Sequence, residues 1–177
     1  RHLKRASEID KRSPVVNNGL ALAFQMSGEK DLAEEHYKAA LRSDPDLTMA
    51  RNNYAVFLYG EERYPAACRE MRKVIKDTLY EGRSAAFQNL GQCEAKLGNL
   101  EAAEEAFERS VALNRMQAPA LLELASINMQ QGEYAQAQGY YEQYRSIGQQ
   151  NARSLYIGIQ LAEYFEDDDK HASYALA

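Results

Sequence analysis

A repeat period of about 34 residues constrains this chain more than any other feature. Ala33, Ala67, Ala103 and Ala137 recur at even intervals apart from a two-residue lengthening of the middle one, and each is followed four places on by Tyr37, Met71, Phe107 or Tyr141. Gly28, Gly98 and Gly132 precede three of these alanines by five places. A second set recurs upstream: Leu20-Ala21, Tyr54-Ala55, Leu90-Gly91 and Leu124-Ala125. A period this long exceeds a single helix or strand, so the repeating unit is a hairpin that buries its apolar face on its neighbours. Leu32, Ala33, Tyr37, Ala40 and Leu41 fall on one face at helical spacing, with Lys30, Glu34, Glu35 and Lys38 turned outward. A small residue at the eighth place lets two antiparallel helices approach closely, glycine near the fifteenth ends the first helix, and a large residue at the twenty-fourth fills the remaining space.

This pattern is similar to the tetratricopeptide repeat. The resemblance implies an all-α right-handed superhelix of antiparallel helix pairs, its concave face lined by the first helix of each pair. Four full units are expected at 14–47, 48–83, 84–117 and 118–150 within a single solenoid over 1–177. Residues 1–13 read as the tail of an earlier second helix, with Leu3, Ala6 and Ile9 on one face, and 151–177 as a fifth first helix with a truncated second one. The chain opens on Arg1 inside that helical reading, so a preceding segment is expected.

Composition narrows the function. The net charge is −5 with acids and bases interspersed, which offers no footprint for a phosphate backbone and disfavours nucleic acid as a partner. No apolar run is long enough to cross a bilayer. The phosphate-cradling, zinc-protease and serine-hydrolase motifs are all absent, so neither catalysis nor a cofactor is expected. His2, His36 and His171 lie in separate units, too scattered for a shared metal site. Glu166, Asp167, Asp168 and Asp169 lack the glycine and alternation of a calcium loop and read as a solvated turn leading into a helix N-terminus. Cys68 and Cys93 belong to neighbouring helices of adjacent units; they read equally as two small core residues in a reducing compartment or as a disulfide in an oxidising one.

The expected binding surface is the concave face. First-helix places 2, 5, 9, 12 and 13 give Val15, Asn18, Leu22, Gln25 and Met26, then Met49, Asn52, Val56 and Tyr59. The later units add Gln88, Gln92 and Lys96, then Leu122, Ser126 and Met129. This lining is apolar and amide-rich, suited to an apolar or amphipathic segment whose backbone the amides grip. A clamp for acidic C-terminal tails needs clustered Lys, Arg and Asn, of which Asn53 alone matches.

Strings outside the repeat pattern carry a narrower resemblance. Asn52-Asn53-Tyr54-Ala55 through Tyr59, Asp77-Thr78-Leu79-Tyr80-Glu81-Gly82-Arg83, Phe87-Gln88-Asn89-Leu90-Gly91, and Gln150-Asn151-Ala152-Arg153-Ser154-Leu155 resemble the type IV pilus biogenesis proteins of the PilF/PilW group. Gly158-Ile159-Gln160-Leu161-Ala162, Phe165 and Ala172-Ser173-Tyr174 extend the likeness. The resemblance implies a monomeric periplasmic lipoprotein on the inner leaflet of the outer membrane, a pilotin that helps the secretin reach that membrane and assemble. A lipidated N-terminal cysteine is absent from these residues, so anchoring is implied rather than read. The implied compartment favours the Cys68–Cys93 bond. The insertion at Thr78 to Gly82 is a candidate functional loop, and Arg153 a candidate to pair with a carboxylate of a partner or equally with a neighbouring repeat. The alternative is a cytoplasmic repeat scaffold or co-chaperone, which predicts reduced cysteines and a charged groove.

Overall fold

The places that recur from unit to unit in the sequence become turns and contacts at the same places in each helix pair. A computed structural model describes residues 13–176; the expected remnant helix with Leu3, Ala6 and Ile9, and His2, lie outside the described residues. The described residues form helix pairs: α1 (Pro14–Met26) with α2 (Lys30–Ser43), α3 (Thr48–Gly60) with α4 (Tyr64–Val74), and α5 (Arg83–Lys96) with α6 (Leu100–Leu113). Then follow α7 (Ala118–Gln131) with α8 (Tyr134–Ile147) and α9 (Ala152–Tyr164) with α10 (Asp168–Ala175). Gly28, Gly98 and Gly132 take positive φ between paired helices, where an L side chain is disfavoured. Glu62 and Glu166 hold the equivalent turns at φ 58° and 53° without that freedom. Ser13 caps α1 ahead of Pro14, and Asn151 opens α9 with a capping box closed by Ser154.

The eighth and twenty-fourth places meet in the core. Tyr37, Phe107 and Tyr141 are essentially fully buried, each such side chain adding about 1.5–3 kcal/mol by leaving water. Gly91 lies against the Phe107 ring, and Gly158 against the Tyr141 phenol. Three apolar clusters follow one another along the array, each built from adjacent helices. Consecutive first helices approach closely along their backbones, α1 to α3 through α7 to α9, whereas among the described residues consecutive second helices stand further apart and meet through long side chains, as where Tyr140 of α8 donates to Glu108 of α6 at 3.0 Å and the Tyr141 and Tyr174 rings of α8 and α10 lie 5.9 Å apart. The array therefore curves toward its first helices.

Cys68 on α4 and Cys93 on α5 form a disulfide with Cα atoms 5.6 Å apart, joining the second unit to the third. The Thr78–Gly82 insertion is tied at its base: Asp77 accepts a hydrogen bond from the Thr48 hydroxyl at 2.6 Å and one from the Leu79 amide at 3.0 Å. Arg83 Nε donates to the Ile75 carbonyl at 2.9 Å, and Leu79 is left exposed at the tip. The acidic run is a turn and helix start, with Asp167 Oδ1 accepting from the Lys170 amide.

Candidate functional site

Three of the first helices are nearly devoid of charge. α1 has no charged residue, and α3 and α7 have one each, Arg51 and Glu123. Arg51 is consumed locally, donating to Glu70 at 2.6 Å and to the Pro45 carbonyl. The second helices and turns carry the charge instead: Glu34 receives Arg63 and Lys38, each at 2.8 Å, and the Tyr54 hydroxyl at 2.9 Å. The Arg63 guanidinium, with Lys38 and Tyr54 in support, holds the Glu34 carboxyl down at about 2.

The expected lining residues divide by place. Val15, Leu22, Met26, Met49 and Val56, at places 2, 9 and 13, are exposed; Met26 retains 89% of its surface. They form an apolar strip on two touching helices, α1 and α3, with half-buried Asn52 and Tyr59 on the same helix as Val56. Gln88, Gln92 and Ser126 are half-buried and Lys96 is at least partly accessible. Gln25 Oε1 accepts from the buried Tyr37 hydroxyl at 2.6 Å, and burial pushes that phenol up to about 12.

Asn18 and Leu122 do not line the groove. Both occupy place 5 and are buried, each against the next first helix, whereas Asn52 and Gln88 at the same place stay half-buried. Asn18 Oδ1 accepts from Asn53 Nδ2 at 3.1 Å, which also removes Asn53 from any clamp. Leu122 joins the core cluster containing Ile157 and Leu161 of α9. Arg153 is likewise turned to a neighbouring unit, making hydrogen bonds of 2.5 and 2.8 Å to the two Glu123 oxygens. His36 is half-buried, bonded to Asn17 Oδ1 at 2.9 Å and stacked on Phe24.

A depression of about 370 Å³ opens between α7 and α9, lined by the expected Ser126 and Met129 together with Tyr134, Tyr156, Ile157 and Gln160. None of the last four stands at a groove place: Tyr134 opens α8, a second helix, and Tyr156, Ile157 and Gln160 fall at places 6, 7 and 10 of a fifth unit counted from Asn151, beside the places expected to face inward. Gly158, in register with Ala125, is the small residue at the eighth place of that fifth unit, and the three side chains on α9 share one face through their i, i+1 and i+4 spacing. A smaller hollow of about 170 Å³ lies between α4 and α6 over Phe87 and Leu90. At its edge Glu94 is buried and receives Arg72 at 2.6 Å and Asn99 Nδ2 at 3.0 Å. Among the described residues no His, Cys, Asp and Glu gather into a metal-holding group, and no helix is long and apolar enough to cross a membrane. The exposed first-helix face presents apolar side chains and amides rather than titrating groups, an arrangement suited to holding a polypeptide.

A family model for the tetratricopeptide repeat matches residues 18–84 and 89–152. The chain is 42% identical over 174 residues to the type IV pilus assembly protein PilF of Pseudomonas aeruginosa, covering 98% of this chain and 69% of that protein. A solved structure of Pseudomonas aeruginosa PilF superposes with a TM-score of 0.93 at 42% identity, over 98% of this chain and 78% of that one. That of PilW, described as a widely conserved type IV pilus biogenesis factor, superposes with a TM-score of 0.80 at 28% identity, over 97% and 79%.

Proposed function

The chain belongs to the tetratricopeptide repeat family and, within it, to the PilF-type proteins of type IV pilus biogenesis, and we propose that it acts there as a pilotin. In this reading it is a non-catalytic, monomeric adaptor that holds a segment of the pilus secretin on its first-helix face and aids the secretin's localisation and assembly at the outer membrane. It works in the periplasm, held to the inner leaflet of that membrane by N-terminal lipidation. The observation that carries the reading is the exposed, uncharged strip of Val15, Leu22, Met26, Met49 and Val56 on a chain of this family. Apolar groups left in water on a folded repeat array are stabilised by a partner that covers them. The Cys68–Cys93 bond supports an oxidising compartment and weighs against the cytoplasmic scaffold.

Capture of secretin subunits from an outer-membrane extract tests the proposal, with the parent chain beside a variant carrying Asn52→Ala and Val56→Asp. Both positions are at least partly accessible, so the variant keeps its helical content. Capture by the parent and loss by the variant is the expected result. Capture by neither refutes the secretin as partner, and equal capture by both moves the contact off the strip.

A further inference from the structure

The depression between α7 and α9 differs chemically from the apolar strip at the other end of the face. We infer that it holds a short, uncharged, proline-bearing segment in extended polyproline II form. This rests on the adaptor reading above and names the chemistry of one part of its ligand.

Three properties of the lining select that occupant. The first is aromatic: Tyr134 is stacked on Tyr164 with ring centroids 3.8 Å apart and planes 12° from parallel, and Tyr156 is 60% exposed at the depression. Such rings offer broad, flat, already ordered contact area at little entropic cost, and aromatic-lined grooves are the usual seat of polyproline II segments. Met129 and Ile157 add apolar atoms between the rings' helices.

The second is charge. Arg153 is the one charged residue in the described lining, and Glu123 takes its guanidinium through two hydrogen bonds. A ligand charge entering here would be desolvated with no free countercharge to meet it. The third is hydrogen bonding. Gln160 Nε2 donates to the Tyr156 hydroxyl at 3.1 Å, which leaves the phenolic proton free to donate to a ligand. The Ser126 hydroxyl and the Gln130 amide also line the depression and make no hydrogen bond within the described residues. A helical ligand has already satisfied its carbonyls internally and would leave these donors idle. An extended segment bares its carbonyls, and each proline removes one N–H, so the segment is rich in acceptors where the protein is rich in donors. No strand is present among the described residues to offer an edge, so an extended ligand is held by side chains rather than by strand addition.

Amide chemical-shift titration of the isotope-labelled chain tests this with three uncharged ten-residue peptides: one with prolines three residues apart, the same peptide with alanine at those prolines, and an amphipathic helix former. Saturable shifts confined to α7, the start of α8 and α9 are expected for the proline peptide, with the alanine version binding about tenfold more weakly. Tyr156→Ala is expected to weaken the proline peptide by about tenfold or more, Tyr156→Phe by several-fold through loss of the donor alone, and Val56→Asp not at all. No saturable binding, equal binding of the alanine peptide, preference for the helix former, or indifference to Tyr156→Ala each overturns the inference. Failure of the peptide with secretin capture intact removes this inference and leaves the adaptor standing. Peptide binding at the depression with no secretin captured removes the partner and leaves the pocket chemistry.

Discussion

Replacing Gly91 by Ala sets helix propensity against packing. In a mid-helix position alanine is favoured over glycine by roughly 0.5–1 kcal/mol. Gly91 sits inside α5, and a Cβ there would stand 2.7 Å from two atoms of the Phe107 ring and 2.8 Å from a third. Carbon atoms rest about 3.5–4.0 Å apart, so the overlap is close to an ångström. Phe107 is fully buried and has no solvent to swing into. Relief therefore requires α5 and α6 to part or the ring to leave its rotamer, at about 1–3 kcal/mol. Set against the propensity gain, Gly91→Ala is expected to destabilise the chain by about 1–2 kcal/mol. Urea unfolding followed by far-ultraviolet circular dichroism measures this as a lowered midpoint at unchanged slope. Phe107→Leu shortens the obstructing side chain, so the double variant should lose less than the sum of the two single losses. A raised midpoint for Gly91→Ala, or strict additivity with Phe107→Leu, would refute the close-approach account of the eighth place.

The disulfide closes a separation of 25 residues, worth about 3.5 kcal/mol by the loop-closure relation, so reduction should lower the urea midpoint correspondingly; identical midpoints would contradict the assignment of that bond. Glu34 is held at about 2 against an ordinary 4.5, so its contribution is complete above the unfolded value and is lost as pH falls from about 4.5 toward 2. Glu34→Gln should flatten the stability profile across that acid window, and a variant with the parent's slope would exclude Glu34 as its source. Glu62 adopts φ 58° where three other units place glycine; relieving a penalty of about 1–2 kcal/mol at an entropic cost of about 0.5–1, Glu62→Gly should raise stability by about 0.5–1 kcal/mol in the same unfolding assay.

The functional tests act on different parts of one face. Val56→Asp disturbs the apolar strip on α3, and Tyr156→Ala disturbs the aromatic depression on α9. Separate losses would mean that a ligand is read at two points along the array, with α5 between them serving as spacing. Such a division is natural for a repeat protein, in which each unit is held by its neighbours and surfaces several units apart vary independently.

The hairpin unit, its all-helical character and the family were already legible in the order of the residues. Those properties rest on contacts and dihedral preferences within one unit: the apolar stripe around Ala33 and Tyr37, the small Gly91 opposite a large side chain, and the glycines at 28, 98 and 132 in the left-handed turns. Helical periodicity also marked out the first-helix face, but only as a stripe on an isolated helix. Tertiary structure decided which part of that stripe reaches water. Asn18 reads as a surface amide until its partner Asn53, 35 residues away, buries it, and Leu122 reads as groove lining until α9 packs over it. Arg153 reads equally as a contact for a partner's carboxylate or for a neighbouring repeat until Glu123, 30 residues away, takes it. Pairing of Cys68 with Cys93 depended on the distance between two helices, which spacing in the sequence does not specify. A residue's period is set by its neighbours one turn away along the chain, whereas its exposure is set by whichever helix the curvature of the whole array brings against it.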